Sequence, residues 1–302
     1  MKLDALKERF WDTPGVDVTA GRGGLPVMQL TGRGGRAEVY LHGAHVTSFV
    51  PEAGEPVLWM SEKSWFEAGK AIRGGIPICW PWFGPHESQE TFPSHGVARL
   101  QTWEPASAGV DGEGLAFVDM RLAPTEFARP YWPHAFELSY RVSVGEALRV
   151  ELTTRNTGEQ PLTLTEALHS YFNVSDVREV SITGLEQTEF LDKVDDLRRK
   201  NQGDEAITFT GEVDRCYLNT MAACILDDPG LDRRIVVEKS GSQSTVVWNP
   251  HTAKAAAMED YGDEEWPGTA CIETANVHEN AVTIPPGEEH TITAVHRVES
   301  RP

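Results

Sequence analysis

The stretch Ala147–Phe172, "ALRVELTTRNTGEQPLTLTEALHSYF", holds two alternating runs of apolar and polar residues separated by the turn-rich "RNTGEQP". Alternation with a period of two is the mark of a strand buried on one face. The stretch is therefore expected to form a β-hairpin. In its second run Leu162, Leu164, Leu168 and Phe172 share a core face, which Glu166 and Ser170 interrupt. Thr163, Thr165, Ala167, His169 and Tyr171 share the other. His169 thus projects away from the apolar side, among hydroxyls and one small residue. A working imidazole would be presented this way, and so would an ordinary half-exposed strand histidine. Taken alone, the segment favours the ordinary histidine.

The same pattern continues outward. "RRIVVEKSGSQSTVVWNP" and "AVTIPPGEEHTITAVHRV" read as further hairpins turning at "KSGS" and "PPGEE", and "AEVYLHGAHVTSFV" as a strand bulged at Gly43. Helical signals are few. Leu3, Leu6 and Phe10 give a short amphipathic helix within residues 1–12. "SEKSWFEAG", with Trp65 and Glu67, suits a short turn or helix, and "LDKVDDLRRK" one helical turn or a loop. No βαβ alternation appears. The expected class is all-β, an antiparallel β-sandwich of two large sheets packed face to face. With no linker or compositional break, residues 1–302 are expected to form a single domain.

Composition narrows the setting. No apolar run approaches the roughly 18–20 residues that cross a bilayer, and "MKLDALKERFW" lacks the apolar core of a signal peptide. A cytoplasmic protein is expected. Cys79, Cys216, Cys224 and Cys271 show no paired spacing and sit beside apolar residues, so they read as small hydrophobes in a reducing compartment. A net charge of −19 repels nucleic acid and anionic membranes, so neither is expected as a partner. It also makes any local cluster of arginines conspicuous.

One such cluster lies in "AIRGGIPICWPWFGPHESQETFPSHGVARLQTWE", where Arg73 and Arg99 stand among glycines, prolines and tryptophans. A packed aromatic loop with two guanidinium groups suits a polar ring bearing an anion. The plainer reading, that both arginines cap loop carbonyls, weighs about equally. A metal is not expected: His42 and His45, three apart in "LHGAHV", face opposite ways on a regular strand. In "TACIETANV" Glu273 shares a strand face with Cys271 and Ala275, and a buried carboxylate must be paired or functional. A salt bridge to an arginine would satisfy it. Asp214 in "EVDRCY" is a weaker candidate. A strand histidine and a strand carboxylate, with no nucleophile or metal, fit proton transfer at both ends of a C–O bond. Hemiacetal ring opening needs that chemistry, with Glu273 as base and His169 as acid, provided their strands adjoin.

"AIRGGIPICWPWFG", "SHGVAR", "ALHSYF", "VDRCY", "VVWNPHTAKAAAMEDYGDEEWPGTACIETANV" and "PPGEEHTITA", in this order, resemble the hexose-6-phosphate mutarotases, the glucose-6-phosphate 1-epimerase branch of the aldose 1-epimerase group. The resemblance implies a galactose-mutarotase-like β-supersandwich, an isomerase acting on a small-molecule sugar phosphate without metal or organic cofactor. It implies His169 as proton donor and Glu273 as base. It further implies contacts to the sugar phosphate from Arg73 and Arg99, to a sugar hydroxyl from Asp214, and pocket walls from His95 and Trp248. Ser94 stands where many members of the family have glutamine, and the shorter side chain leaves room for water in the ligand's first layer. A monomer is expected. Two other readings stay open: a mutarotase of unphosphorylated aldoses, which would need neither arginine, and a non-catalytic sugar-phosphate binding protein on the same fold.

Overall fold

The structure, a computed structural model, describes residues 2–52 and 54–301. Two eight-stranded antiparallel sheets dominate it, joined by a four-stranded sheet and a two-stranded one. The first large sheet runs from Arg198–Asn201 through Glu189–Asp192, Val213–Tyr217, Ser244–Asn249 and Thr269–Asn276 to Glu166–Leu168 and Ile78–Cys79. Tyr171–Asn173 also pairs with Thr269–Asn276. The second runs from Ser181–Thr183 through Cys224–Asp228, Arg233–Ser240, Glu289–Ser300, Ala147–Asn156, Phe136–Val144 and Ala116–Leu122 to Glu104–Val110. The all-β expectation holds.

The faces assigned to Leu162–Phe172 hold as well. Leu162, Leu164, Leu168 and Phe172 are buried in the main apolar cluster, each such side chain contributing about 1.5–3 kcal/mol by leaving water. The two polar exceptions on that face have partners on the long strand Glu289–Ser300 of the facing sheet. Ser170 Oγ lies 3.3 Å from His296 Nε2, and Glu166 Oε1 lies 3.1 Å from His290 Nε2. Asn276, opposite Glu166 in the ladder, donates to the same carboxylate oxygen at 2.9 Å. The large sheets are thus tied by polar bridges as well as by apolar contact.

The three anticipated hairpins are not hairpins. Ala147–Asn156 pairs with Phe136–Val144 and Glu289–Ser300, whereas Leu162–Leu164 pairs with Val282–Ile284. Arg233–Ser240 belongs to the second large sheet and Ser244–Asn249 to the first. Val282–Ile284 and Glu289–Ser300 likewise sit in different sheets. Each turn reverses the chain as its residues dictate, but carries it from one sheet to another. Asn156 shows why: its amide donates to the carbonyls of Gln160 and Ile284, while its backbone N–H donates to Glu288. The "RNTGEQP" and "PPGEE" turns are bonded to each other rather than closing their own strands.

Smaller corrections follow. Gly43, at φ 73°, lies in the tight turn between Gly35–Tyr40 and His45–Pro51, and the register shift of that pair falls at Glu38/Val39. "SEKSWFEAG" forms turns without a helix. The N-terminal helix spans Leu3–Arg9 and buries Leu6, with Met1 outside the described residues. "LDKVDDLRRK" makes one 3-10 turn, Lys193–Asp195, and then the edge strand Arg198–Asn201. A second α-helix, His251–Ala257, was not anticipated. Its first N–H is capped by Asn249 Oδ1 at 2.9 Å. The four cysteines are free and buried, and no helix among the described residues is long and apolar enough to cross a membrane.

Glu166 raises the pKa of His290 through their hydrogen bond. A raised folded value makes the bridge's contribution complete below about pH 6.5, the unfolded histidine value, and lost as pH rises through the folded one. His290→Gln is expected to lower Tm most at about pH 6 and progressively less at higher pH. Thermal melts that show a pH-independent deficit would contradict this.

Candidate active site

His169 falls in the gap between Glu166–Leu168 and Tyr171–Asn173, which both pair with Thr269–Asn276 in one unbroken register. Leu168 faces Thr274 and Tyr171 faces Cys271, so His169 stands directly opposite Glu273. The condition that the two strands adjoin is met: Nε2 of His169 lies 3.3 Å from Oε1 of Glu273. On the far side of Glu273, Val246 is its ladder partner, and Trp248 and Asp214 continue the neighbouring row. Two adjacent rows on one sheet face therefore carry Cys216, Val246, Glu273 and His169, then Asp214, Trp248, Cys271 and Tyr171. Beyond them Cys79, Ala167 and Ala275 are small, which leaves the face concave around the carboxylate.

Two loops build the walls. Gly74 and Gly75 both have positive φ, and a Cβ on Gly75 would lie 2.1 Å from the carbonyl oxygen of Val46. Only glycine lets this loop press against the strand His45–Pro51. His45 anchors it through Nε2 to the Gly74 carbonyl at 2.8 Å, and His42 likewise bonds the Lys70 carbonyl at 2.6 Å. Both histidines serve the loop backbone. Arg73, held there, donates through Nε and Nη2 to the Asp260 carboxylate at 3.2 and 3.1 Å, and through Nη1 to the Tyr171 hydroxyl at 2.9 Å.

In the second loop Gly96, at φ 74°, packs its backbone on the Trp80 carbonyl, 2.0 Å from where a Cβ would sit. His95 Nδ1 accepts from the Gly84 N–H at 3.2 Å, which leaves Nε2 as the protonated nitrogen of a neutral ring. Arg99 Nη2 donates to the Ser94 carbonyl at 2.8 Å, and its Nε is shielded from solvent with no partner.

All eight residues singled out in the sequence, Arg73, Ser94, His95, Arg99, His169, Asp214, Trp248 and Glu273, line one cavity of about 240 Å³. His169 is not the half-exposed strand residue that its segment alone favoured. It is 7% exposed and stacks on Tyr171 with ring centroids 4.6 Å apart and planes 10° apart. Sequence reasoning passed over Lys193 and Lys254, whose ammonium groups lie 3.0 and 3.7 Å from Asp214 Oδ2. It also passed over Phe83 and Met258 in the wall, and Asp260 behind Arg73. Lys193 lies in a segment that reads as one helical turn or a loop, Lys254 in the unanticipated helix.

Electrostatics set the resting state. Burial, reinforced by the nearby Asp214, pushes the Glu273 carboxyl well above the usual carboxylate range. Burial, with the charges of Arg73 and Arg99, pushes His169 well below the usual histidine range. Both shifts act in favour of the neutral forms. Burial and Arg73 also lower the pKa of Arg99, and among the described residues no carboxylate forms an ion pair with it. Arg73 differs: Asp260 compensates its charge. Among the described residues no group of three or more His, Cys, Asp or Glu side chains is arranged to hold a metal ion.

Comparison with known proteins identifies the family. The profile of the family described as aldose 1-epimerase matches residues 26–297. The chain belongs to the aldose 1-epimerase family. Two relatives named "Putative glucose-6-phosphate 1-epimerase" are similar to it. The one from Cenchrus ciliaris is 42% identical over 88% of this chain and 82% of its own. The one from Escherichia coli is 38% identical over 81% of each. A Salmonella typhimurium crystal structure described as a "putative mutarotase" superposes with TM-score 0.88 at 32% identity, covering 98% of this chain and all of that one. A galactose mutarotase-like protein from Clostridium acetobutylicum shares the fold at TM-score 0.72 and 17% identity, over 96% of this chain and 99% of its own.

With burial favouring its neutral form, the imidazole C–H resonances of His169 in the ligand-free protein are expected to stay flat between about pH 6 and pH 8, where an ordinary histidine titrates. An NMR titration with a midpoint near about 6.5 would contradict the resting state described here.

Proposed function

We propose that the protein interconverts the α and β anomers of hexose 6-phosphates, glucose 6-phosphate foremost, by acid/base ring opening and closure. The observation that carries this reading is Arg99, a half-buried arginine whose Nε is shielded and which no carboxylate pairs among the described residues, in the same cavity as the Glu273–His169 pair. A cation partly withdrawn from water without a countercharge is unfavourable, and an incoming phosphate supplies that charge. The names of the relatives and the family membership support the same substrate class. One main hydrophobic cluster runs from Leu6 to Ala294, which supports a single domain.

The resting pair, Glu–COOH with neutral imidazole, has the same proton count as the working pair, carboxylate with imidazolium. The 3.3 Å contact connects the two forms. Phosphate bound at Arg99 cancels a charge that disfavours the imidazolium, so substrate binding itself favours moving the proton from Glu273 to His169. Glu273 then takes the proton of the C1 hydroxyl as His169 protonates the ring oxygen. The C1–O5 bond breaks and leaves an open-chain aldehyde. After rotation about C1–C2, His169 recovers its proton from O5, O5 adds to the other face, and Glu273 returns its proton to O1. Arg73, His95 and Asp214 are sugar contacts, and Trp248 and Ser94 shape the walls. The arrangement consumes no co-reactant.

One-dimensional NMR exchange between anomeric signals tests this directly with glucose 6-phosphate, glucose and galactose. The expected result is accelerated exchange for the phosphate ester, with glucose and galactose much slower. His169→Ala and Glu273→Gln are each expected to reduce kcat by about a hundredfold or more while ligand binding persists. Arg99→Met is expected to raise KM for glucose 6-phosphate about tenfold or more. Equal acceleration of the free sugars would assign the protein to general aldoses. No acceleration with any sugar would leave a binding protein.

A further inference from the structure

Asp260 lies outside every motif role assigned above, yet its side chain is 9% exposed and is committed to Arg73 through two hydrogen bonds. It stands in the loop that follows the helix His251–Ala257. That loop is pinned by the neighbouring Tyr261, whose ring packs 4.8 Å from Trp59. Trp59 in turn stacks on Tyr171 at 5.7 Å, and Tyr171 on His169 at 4.6 Å. Arg73 closes the circuit by donating to the Tyr171 hydroxyl. Of the five N–H donors of a guanidinium, the two aimed at Asp260 and the one aimed at Tyr171 are taken. The remaining two are left for a ligand.

We propose that Asp260 is a positioning residue: it fixes the orientation of Arg73, and through Arg73 and Tyr171 the ring plane of His169, while holding down the positive charge of the cavity. This inference rests on the mutarotase reading for its catalytic part only. Asp260 is the one carboxylate that forms an ion pair with Arg73 among the described residues. Without it, two guanidinium groups would face the cavity uncompensated. The cavity would then bind an anion more tightly and turn substrate over more slowly. A residue that merely supports the fold would weaken both.

The test compares wild type with Asp260→Asn, which keeps size and shape while removing the charge. Binding of inorganic phosphate is followed by calorimetry, and turnover of glucose 6-phosphate by anomeric exchange. The expected phosphate Kd is lower than wild type by about tenfold, since a charge close to the site is removed in a partly desolvated cavity. The expected kcat falls about tenfold through misalignment of His169. A phosphate Kd that is unchanged or weaker overturns the inference, and so does a wild-type kcat. If the wild type itself fails to accelerate exchange, the mutarotase reading falls, and the phosphate titration still decides the charge role of Asp260. Should Asp260→Asn not fold, Tyr171→Phe tests the next link. It is expected to lower kcat and leave the phosphate Kd within about twofold, because the Arg73–Asp260 pair is intact. Wild-type turnover in that variant overturns the positioning role.

Discussion

One cross-strand contact organises this molecule: an imidazole and a carboxyl placed opposite each other on a buried sheet face, 3.3 Å apart. Each group, taken from water, prefers its neutral form. In the mechanism proposed above they share a single proton whose position depends on the surrounding charges. The register of Thr269–Asn276 with its two short partners sets the pair. The sheet's other face, buried against the second large sheet, makes the pair rigid. Ser170 and Glu166, on that other face, reach His296 and His290 across the interface, so the strands that carry the pair are tied from behind. Preorganised acid and base groups on sheet strands, rather than on mobile loops, are what a proton-transfer site needs.

The charge arrangement of the cavity is the second element. A net charge of −19 makes the surface as a whole hostile to a phosphorylated sugar. The cavity is the local exception, with Arg73, Arg99, Lys193 and Lys254 in its lining. Three of these four are offset by carboxylates: Arg73 by Asp260, and Lys193 and Lys254 by Asp214, with Glu212 also holding Lys254. Arg99 stands apart, bonded to a backbone carbonyl. The sequence pointed to two equivalent arginines gripping an anion. The structure separates them into one compensated group and one that is not, which gives the cavity a direction.

What could be read in the sequence, and what could not, divides along a physical line. Local periodicity reports faces, so Leu162, Leu164, Leu168 and Phe172 were correctly turned inward and His169 outward. The resemblance in the motifs gathered all eight site residues into one cavity. Pairing partners are a different matter. "RNTGEQP", "KSGS" and "PPGEE" announce a reversal of direction, but nothing local says whether the returning strand joins the same sheet. In this fold it does not, because Asn156 ties two of these turns to each other. The partners of Glu166 and Ser170 lie more than a hundred residues away, beyond any short-range pattern. Lys193, Lys254 and Asp260 were illegible for a similar reason. They sit in a 3-10 turn, a seven-residue helix and a loop, and each matters only through a carboxylate or guanidinium brought from elsewhere.

The central claim is directional: phosphate at Arg99, and the anomeric carbon between Glu273 and His169. A crystal structure of Glu273→Gln with glucose 6-phosphate tests it most directly, since the variant traps the bound sugar. The account predicts the phosphate on the Arg99 guanidinium, the C1 oxygen against residue 273, and the ring oxygen facing His169 Nε2. A phosphate seated on Lys193 and Lys254, with C1 turned away from His169, would contradict it.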